Sequence, residues 1–329
     1  YFRNPVGTGP FKYKDWVKGE RISLERFDDY HGKKANFREF EVLVLPDDSS
    51  RVIALETGKV DLIYGVPPSD VERLSESDKV KVVRAPGLGM VYFGMNTQKK
   101  PFSDPKVRIA MEHAINKEAY NAVVYQGKSN LPAGPLIFTA STFTPENVMT
   151  YAYDPAKAKE LLKEAGYPDG FEMELWVSNF QDRVNGATVL QSMLAEVGIK
   201  VNIQVFESGI FDDRIKDGTA DAAITSWGMQ TNRDAGQFWI SLFHSRSKAS
   251  NFTFLNDPAV DEGLDKASTT VEAAARKALL QAVWERLDET HPAVALSVPD
   301  ELYGARADLL GVEFYDGRLN YLGDLSIQQ

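Results

Sequence analysis

The sequence predicts an α/β protein built from two lobes, and three observations carry that prediction. The chain has 329 residues, which is enough for two hydrophobic cores of ordinary size. Strand and helix patterns alternate between residues 171 and 227, as they do in α/β folds. Both ends of the chain are rich in strand patterns, unlike the helical middle, so we expect the two ends to share one lobe.

The start of the chain alternates apolar and polar residues, which is the period of a half-buried strand. Strands are predicted in FKYKDW, RISLERF and FREFEVLVL, and later in VDLIYGV and KVKVVRA. A helix is predicted from Ser49 to Thr57, ended by Gly58. In the segment NPVGTGP the second glycine is followed by Pro10 and then Phe11, and not by the lysine and hydroxyl residue of a phosphate loop, so we interpret it as a turn that enters a strand.

Three aspartate–proline pairs predict helix starts, because aspartate caps a helix N-terminus and proline fits its first turn. The aspartates are Asp104, Asp154 and Asp257. The helix after Asp104 is predicted to run to Gly127, and the helix after Asp154 to end at Gly166.

The middle of the chain carries the pattern β-α-β-α-β, which predicts a parallel sheet with right-handed connections. The five elements are predicted at 171–177, 187–198, 199–206, 210–218 and 221–227. Ligands of such sheets bind beyond the carboxyl ends of the strands. We therefore expect a binding site near residues 178–183 and 227–234.

The composition excludes several classes of function. The net charge is −10 and no basic stripe is present, which argues against nucleic acid as a partner. The chain has no cysteine, and its four histidines lack metal-ligand spacing, so no cofactor or metal is predicted. No G-x-S-x-G elbow or carboxylate dyad occurs, so we expect a binding protein and not an enzyme.

Two opposite charges stand at the predicted strand ends. Arg183 can hold a carboxylate with two hydrogen bonds and Asp234 can accept from an ammonium group, a pair that suits a zwitterion such as a short peptide. The alternative is that each is a surface charge, with Arg233 as a local partner of Asp234.

Five further residues are ligand-contact candidates by position. They are Trp227, Gly228, Met229, Asn179 and Phe180. Core packing is the competing interpretation for Trp227, because it ends a strand predicted to be buried.

Four phrases in the chain resemble one family. The phrases NPVGTGPFKYKDW, FGMNTQKKPFSDPKVRIAMEHAINKE, YDPAKAKELLKEAGYPDGF and ITSWGMQTNRDAGQFWISLF resemble the dipeptide, oligopeptide and nickel branch of bacterial ABC-transporter solute-binding proteins, extracellular family 5. The resemblance implies a two-lobe fold of the periplasmic-binding-protein type II. It also implies more chain before the first phrase, which would leave lobe II complete and lobe I partial.

The lobes are predicted as residues 1–92 with 298–329 for partial lobe I, and 93–297 for lobe II. The two crossings, near 90–96 and 293–299, would form the hinge on which the lobes close around the ligand. In dipeptide-binding members an aspartate holds the amino group and an arginine the carboxylate of the peptide. By resemblance, Asp234 and Arg183 take those roles.

The resemblance implies the substrate-binding component of an ABC importer, which captures a short peptide and delivers it to a membrane permease. We expect a monomer in the periplasm or otherwise outside the cytoplasm, with a lipid anchor left open. Alternatives on the same fold are a receptor for a metal chelate, an opine or a sugar conjugate, and a ligand-sensing domain of a regulator. A hydrolase or transferase on an α/β scaffold is the rival from another class.

Overall fold

The computed structural model describes residues 5–134, 136, 141–228, 233–315, 318–319 and 322–328. The chain divides into two compact units. Unit 1 comprises Tyr1–Pro86 and Asp300–Gln329, and unit 2 comprises Gly87–Pro299. The assignment of these stretches to two lobes joined by a hinge stays a prediction.

Fifteen strands are present among the described residues. They are β1 Phe11–Val17, β2 Arg21–Arg26, β3 Glu39–Leu43, β4 Leu62–Tyr64, β5 Val80–Ala85, β6 Gly89–Met95, β7 Glu172–Ser178, β8 Lys200–Phe206, β9 Ala222–Gly228, β10 Ala293–Ser297, β11 Glu301–Arg306, β12 Leu309–Leu310, β13 Phe314–Tyr315, β14 Arg318–Leu319 and β15 Ser326–Ile327.

Ten α-helices connect or flank these strands in the part of the chain that the structure describes. They are α1 Asp48–Glu56, α2 Val71–Ser75, α3 Pro105–Ala114, α4 Lys117–Tyr125, α5 Pro155–Glu164, α6 Gln181–Ala195, α7 Ser208–Arg214, α8 Ala235–Phe243, α9 Pro258–Thr269 and α10 Ala273–Thr290.

Unit 1 is built mainly from antiparallel strands. One sheet has the order β1-β2-β3 and another the order β4-β11-β5. Strand β11 lies between β4 and β5 although it is distant in sequence, so it closes the unit with residues from the far end of the chain. Helix α1 begins after Asp47, whose carboxylate accepts the Ser50 N–H. Its buried Val52 and Leu55 pack in one cluster with Ile63 and Leu74.

Unit 2 contains a five-stranded sheet of order β10-β6-β9-β7-β8. Strand β7 pairs in parallel with both β8 and β9, as the β-α-β-α-β pattern predicts. Strands β6 and β10 join the same sheet antiparallel to their neighbours. Their source explains the difference, because β6 and β10 come from outside the 171–227 segment.

The two faces of this sheet are covered by different helices. Alternate residues of β6 point to opposite faces, as the strand period requires. Val91 and Phe93 pack in a cluster with α3, α4, α5 and α6, while Met90 and Tyr92 pack in another with α8, α9 and α10. Each fully buried side chain of this size stabilises the fold by about 1.5–3 kcal/mol.

The helix starts at the three aspartate–proline pairs are confirmed. The carboxylates of Asp104, Asp154 and Asp257 accept backbone N–H groups of the helices that follow. The predicted continuous helix from Asp104 to Gly127 was wrong. Helix α3 ends at Ala114, and Asn116 caps the separate helix α4 by accepting the Ala119 N–H.

Candidate functional site

The carboxyl ends of β7 and β9 lie side by side in unit 2, because the two strands are parallel neighbours. Asn179 and Phe180 follow β7, and both are exposed. The Phe180 side chain is 59 % exposed. This edge of the sheet therefore presents an apolar and a polar side chain to solvent, next to the helix that carries Arg183.

Arg183 lies in the first turn of α6, since that helix begins at Gln181. The expected helix start near residue 187 was therefore wrong, and Arg183 is on a helix instead of a loop. Its Nη1 donates to Asp182 Oδ2 at 2.6 Å and to the Tyr125 hydroxyl at 3.3 Å. Tyr125 in turn donates to the same carboxylate oxygen at 3.2 Å.

Three groups thus form the arginine cluster, which we define as Tyr125, Asp182 and Arg183. The Arg183 side chain is 12 % exposed. Burial disfavours its charge, but the Asp182 carboxylate and the tyrosines outweigh this and raise the pKa of the guanidinium. Burial likewise raises the pKa of the Tyr125 hydroxyl. Arg183 is therefore charged and Tyr125 is neutral. Both side chains keep the hydrogens that they donate within the cluster.

A second tyrosine lies beneath the cluster. Tyr120 is fully buried, and its hydroxyl has no hydrogen-bond partner among the described residues. Gly186 of α6 leaves the space for this ring, because a Cβ there would come within 2.4 Å of the Tyr120 hydroxyl oxygen. Sequence reasoning missed Tyr120 and Tyr125. The periodicity of α4 marks both residues as core, and nothing local indicates contact with a helix about sixty residues away.

Asp234 is engaged within the fold. Its carboxylate caps α8 by accepting the Gln237 N–H at 3.0 Å. Both of its oxygens accept from Arg276 Nη2, at 2.9 and 2.7 Å. Arg276 of α10 is an ion-pair partner of Asp234 that the sequence analysis did not consider. The role of Asp234 in binding an ammonium group stays a prediction.

The Asp234–Arg276 pair borders a cavity of about 270 Å³ within unit 2. The cavity lies where the first turns of α8 and α10 meet the last turn of α9, and Gln237 and Ser268 are its other polar residues. Arg276 is further fixed by its Nε, which donates to the Ala267 carbonyl at 3.1 Å. The pair therefore joins three helices.

Arg183 and Asp234 belong to helices that pack on different faces of the five-stranded sheet. Helix α6 packs on the sheet face that holds Phe93, and α8 packs on the face that holds Tyr92. The two charges follow neighbouring strands but stand on opposite sides of the sheet. A ligand that touches both would have to cross the sheet edge.

The remaining candidates lie at or beyond the end of β9. Trp227 is partly buried and packs against the cluster on the α8 face, which supports the core interpretation of this residue. Gly228 pairs with Gly89 of β6. Met229 lies outside the described residues.

Two searches of the described residues gave negative results. No group of three or more His, Asp or Glu side chains is placed to hold a metal ion among residues whose positions are described. Over the same residues, none of the helices combines the length and apolar character that a membrane crossing requires.

Comparison with known proteins identifies relatives of the chain. Residues 1–250 match the family described as bacterial extracellular solute-binding proteins, family 5, middle part. The dipeptide-binding protein of Escherichia coli is 34% identical over 257 residues, which are 76% of this chain and 48% of that protein. A glutathione-binding protein of Pectobacterium atrosepticum is 31% identical over 309 residues, or 89% of this chain and 59% of that protein.

A solved structure extends the similarity to the fold. It is the ABC transporter-associated periplasmic binding protein DppA of Helicobacter pylori in complex with the peptide STSA. The match covers 99% of this chain and 64% of the Helicobacter pylori chain, with a TM-score of 0.93 and 32% sequence identity. The chain spans about half the length of the curated relatives it matches. The predicted periplasmic-binding-protein type of α/β fold is confirmed, and the chain belongs to the bacterial extracellular solute-binding proteins of family 5.

Proposed function

We propose that this protein is the solute-binding component of an ABC importer, and that its ligand is a short peptide or a peptide-like solute. The observation that carries the proposal is the similarity, along 99% of the chain, to a periplasmic binding protein solved with a bound peptide. The relatives named for dipeptides and for glutathione, itself a tripeptide, support the same class of ligand. The role is capture and delivery to a permease, without catalysis and outside the cytoplasm.

Arg183 is the residue we propose as the contact for the ligand's carboxylate. A guanidinium carries five N–H donors in a planar fork. Its Nη1 donates to Asp182 and Tyr125, and this fixes the fork from one side. The guanidinium has further N–H donors with the geometry that binds a planar anion, and a peptide carboxylate is such an anion.

The sequence points to Asp234 for the ligand's ammonium group, but its oxygens already serve a helix cap and Arg276, so we propose that Asp234 serves the fold instead. The exposed Phe180 and Asn179 are proposed contacts for the peptide's side chains. A contact surface of one apolar and one amide group tolerates varied side chains, which suits a receptor for peptides of mixed sequence.

Isothermal titration calorimetry on the full-length protein tests the proposal. The ligands are a panel of dipeptides, tripeptides and glutathione, each paired with its C-terminal amide as a matched control. We expect a free peptide to bind and its amide to bind about thirtyfold more weakly, the equivalent of about 2 kcal/mol for a lost charged contact.

Two results would contradict the proposal at different levels. Equal binding of a peptide and its amide would be consistent with a peptide receptor but would exclude the proposed contact between Arg183 and the ligand's carboxylate. Binding of a metal chelate, an opine or a sugar conjugate with no response to any peptide would replace the ligand class.

A further inference from the structure

The arginine cluster offers a ligand an acceptor as well as donors. Asp182 Oδ2 accepts hydrogen bonds from Arg183 Nη1, at 2.6 Å, and from the Tyr125 hydroxyl, at 3.2 Å. Within the described residues nothing donates to the other oxygen, Oδ1. The Asp182 side chain is 36 % exposed, so solvent reaches this carboxylate. A ligand that binds Arg183 therefore meets a negative charge beside the guanidinium.

Asp182 and the ligand's carboxylate would share one guanidinium. Nη1 of Arg183 already donates to Asp182 and Tyr125, which leaves Nη2 and Nε for the ligand. A guanidinium is so compact that two anions on it are closer than the Debye length, about 8 Å at physiological ionic strength. The Arg183 side chain is largely buried, and salt screens charges weakly where water is excluded. Asp182 therefore repels the anion that Arg183 attracts.

The neighbouring strand end adds a second carboxylate. Strand β8 is the parallel neighbour of β7, and its last residue, Phe206, pairs with Ser178. Glu207 follows directly and is exposed. Hydrogen bonds from the N–H groups of Gly209 and Ile210 hold the pKa of Glu207 below its usual value, so this side chain is ionised at neutral pH. The ends of β7 and β8 thus bring two carboxylates and one guanidinium to this edge of the sheet.

The cation that follows on α7 lies on the other face of the sheet. Arg214 stacks on the Phe206 ring, with its Cζ 5.3 Å from the ring centroid. Phe206 packs in a cluster with Trp176, whereas Val201 packs on the opposite face in the cluster that contains α6. Arg214 therefore does not offset the charge of Asp182 at the start of α6.

We propose that Asp182 is a specificity-determining residue of the candidate ligand site, which favours peptides whose C-terminal side chain is uncharged or basic over peptides that end in aspartate or glutamate. The inference rests on the proposed function. Arg183 binds the one carboxylate that every free peptide carries at this end, and Asp182 disfavours a second negative charge beside it.

The covalent structure of a peptide explains why the C-terminal side chain is the one selected. This side chain leaves the same α-carbon as the carboxylate, so it lies within a few bonds of the group that Arg183 holds. The exposed neighbours are Phe180 and Asn179, and residues 178–186 contain no cation besides Arg183. An acidic side chain finds no counter-charge in this segment, and like charges that face each other reduce affinity.

Selection by charge and positioning of Arg183 are separable roles for Asp182. If Asp182 only held the guanidinium in place, its loss would weaken the binding of every peptide by the same factor. If its charge selects the ligand, its loss changes the ratio between the affinities for a neutral and an acidic peptide. That ratio is the quantity to measure.

Isothermal titration calorimetry on the full-length protein measures the ratio. The probes are two peptides of the length that binds most tightly in the calorimetric panel, identical except for glutamine or glutamate at the C-terminal residue. The two side chains have the same shape and differ by one charge. We expect the parent to bind the glutamine peptide about tenfold more tightly than the glutamate peptide.

The Asp182→Asn variant removes the charge and keeps an acceptor for Arg183 and Tyr125. We expect its affinity ratio to fall to about threefold or less. Asp182→Glu restores the charge and should raise the ratio above that of Asp182→Asn. The matched control is Glu262→Gln, an exposed acid on α9 that pairs with Lys266, which should keep the ratio of the parent.

Two results would overturn the selection by Asp182 and leave the peptide receptor in place. They are equal affinities of the parent for the two peptides, and a ratio that is unchanged in Asp182→Asn. Absence of binding by every peptide in the panel would instead overturn the proposed function, and this inference with it.

Discussion

Two charged groups follow neighbouring strands of the same sheet, and the fold treats them differently. Asp234 caps a helix, and both of its carboxylate oxygens accept hydrogen bonds from Arg276, a residue 42 positions away. Within the described residues, Arg183 donates through Nη1 alone, to its sequence neighbour Asp182 and to Tyr125. The difference teaches that charge at a strand end is not enough to indicate a ligand contact. What matters is how much of the group's hydrogen-bonding capacity the fold has already used.

The largest effect that this comparison predicts concerns stability. Asp234→Ala removes a helix cap and leaves Arg276, whose side chain is 29 % exposed, without its carboxylate. We expect a loss of about 2–4 kcal/mol in the free energy of unfolding, as a cap and a half-buried pair are lost together. Urea unfolding measures it.

The control for that change is Asp213→Ala. Asp213 is 88 % exposed and pairs only loosely with Lys216, at 3.5 Å. Its loss should cost below about 1 kcal/mol. Similar losses for the two variants would mean that the Asp234 contacts contribute little to the fold.

The next effect concerns affinity. Arg183→Ala should weaken the binding of a peptide with a free carboxylate about thirtyfold, the equivalent of about 2 kcal/mol, because a charged contact is lost. Its effect on the corresponding peptide amide should be small. Calorimetry with both ligands measures the difference, and an equal loss for both would assign the effect to damaged packing instead of to the carboxylate.

A third change tests the support beneath Arg183. Gly186→Ala places a methyl group against the Tyr120 ring, and overpacking of this kind costs about 1–3 kcal/mol. Thermal unfolding measures the loss. The partner substitution Tyr120→Phe removes the hydroxyl oxygen that the methyl group meets, and the double variant should recover part of the stability. No recovery would show that the clash lies elsewhere.

The smallest effect is expected at Tyr125. Tyr125→Phe removes one hydrogen bond to Asp182 and one from Arg183, which should cost about 1 kcal/mol of stability. Because Asp182 still holds the guanidinium, peptide affinity should fall by no more than a fewfold. A loss as large as that of Arg183→Ala would make Tyr125 itself a ligand contact.

Local signals in the sequence predicted much of the fold. The pairs at Asp104, Asp154 and Asp257 place a cap and a rigid residue next to each other, and the helices begin where these residues stand. The break between α3 and α4 was missed, because Ile115 fits the apolar periodicity on both sides while its backbone is extended.

The candidate site was less predictable for a different physical reason. The residues at strand ends can be located from the sequence, as Arg183 and Asp234 were. Their partners Tyr125 and Arg276 lie 58 and 42 positions away, and they reach the site only through helix packing. The sequence therefore indicated which charges are present at this edge, but not which of them the fold uses.

The most direct test of the comparison is the peptide affinity of Asp234→Asn, measured by calorimetry beside its unfolding free energy. Asparagine caps helices as well as aspartate does and keeps an acceptor for Arg276, but it has no charge for an ammonium group. Our account predicts an affinity within about twofold of the parent, because Asp234 serves the fold. A loss of tenfold or more, at unchanged stability, would contradict it and assign Asp234 to the ligand.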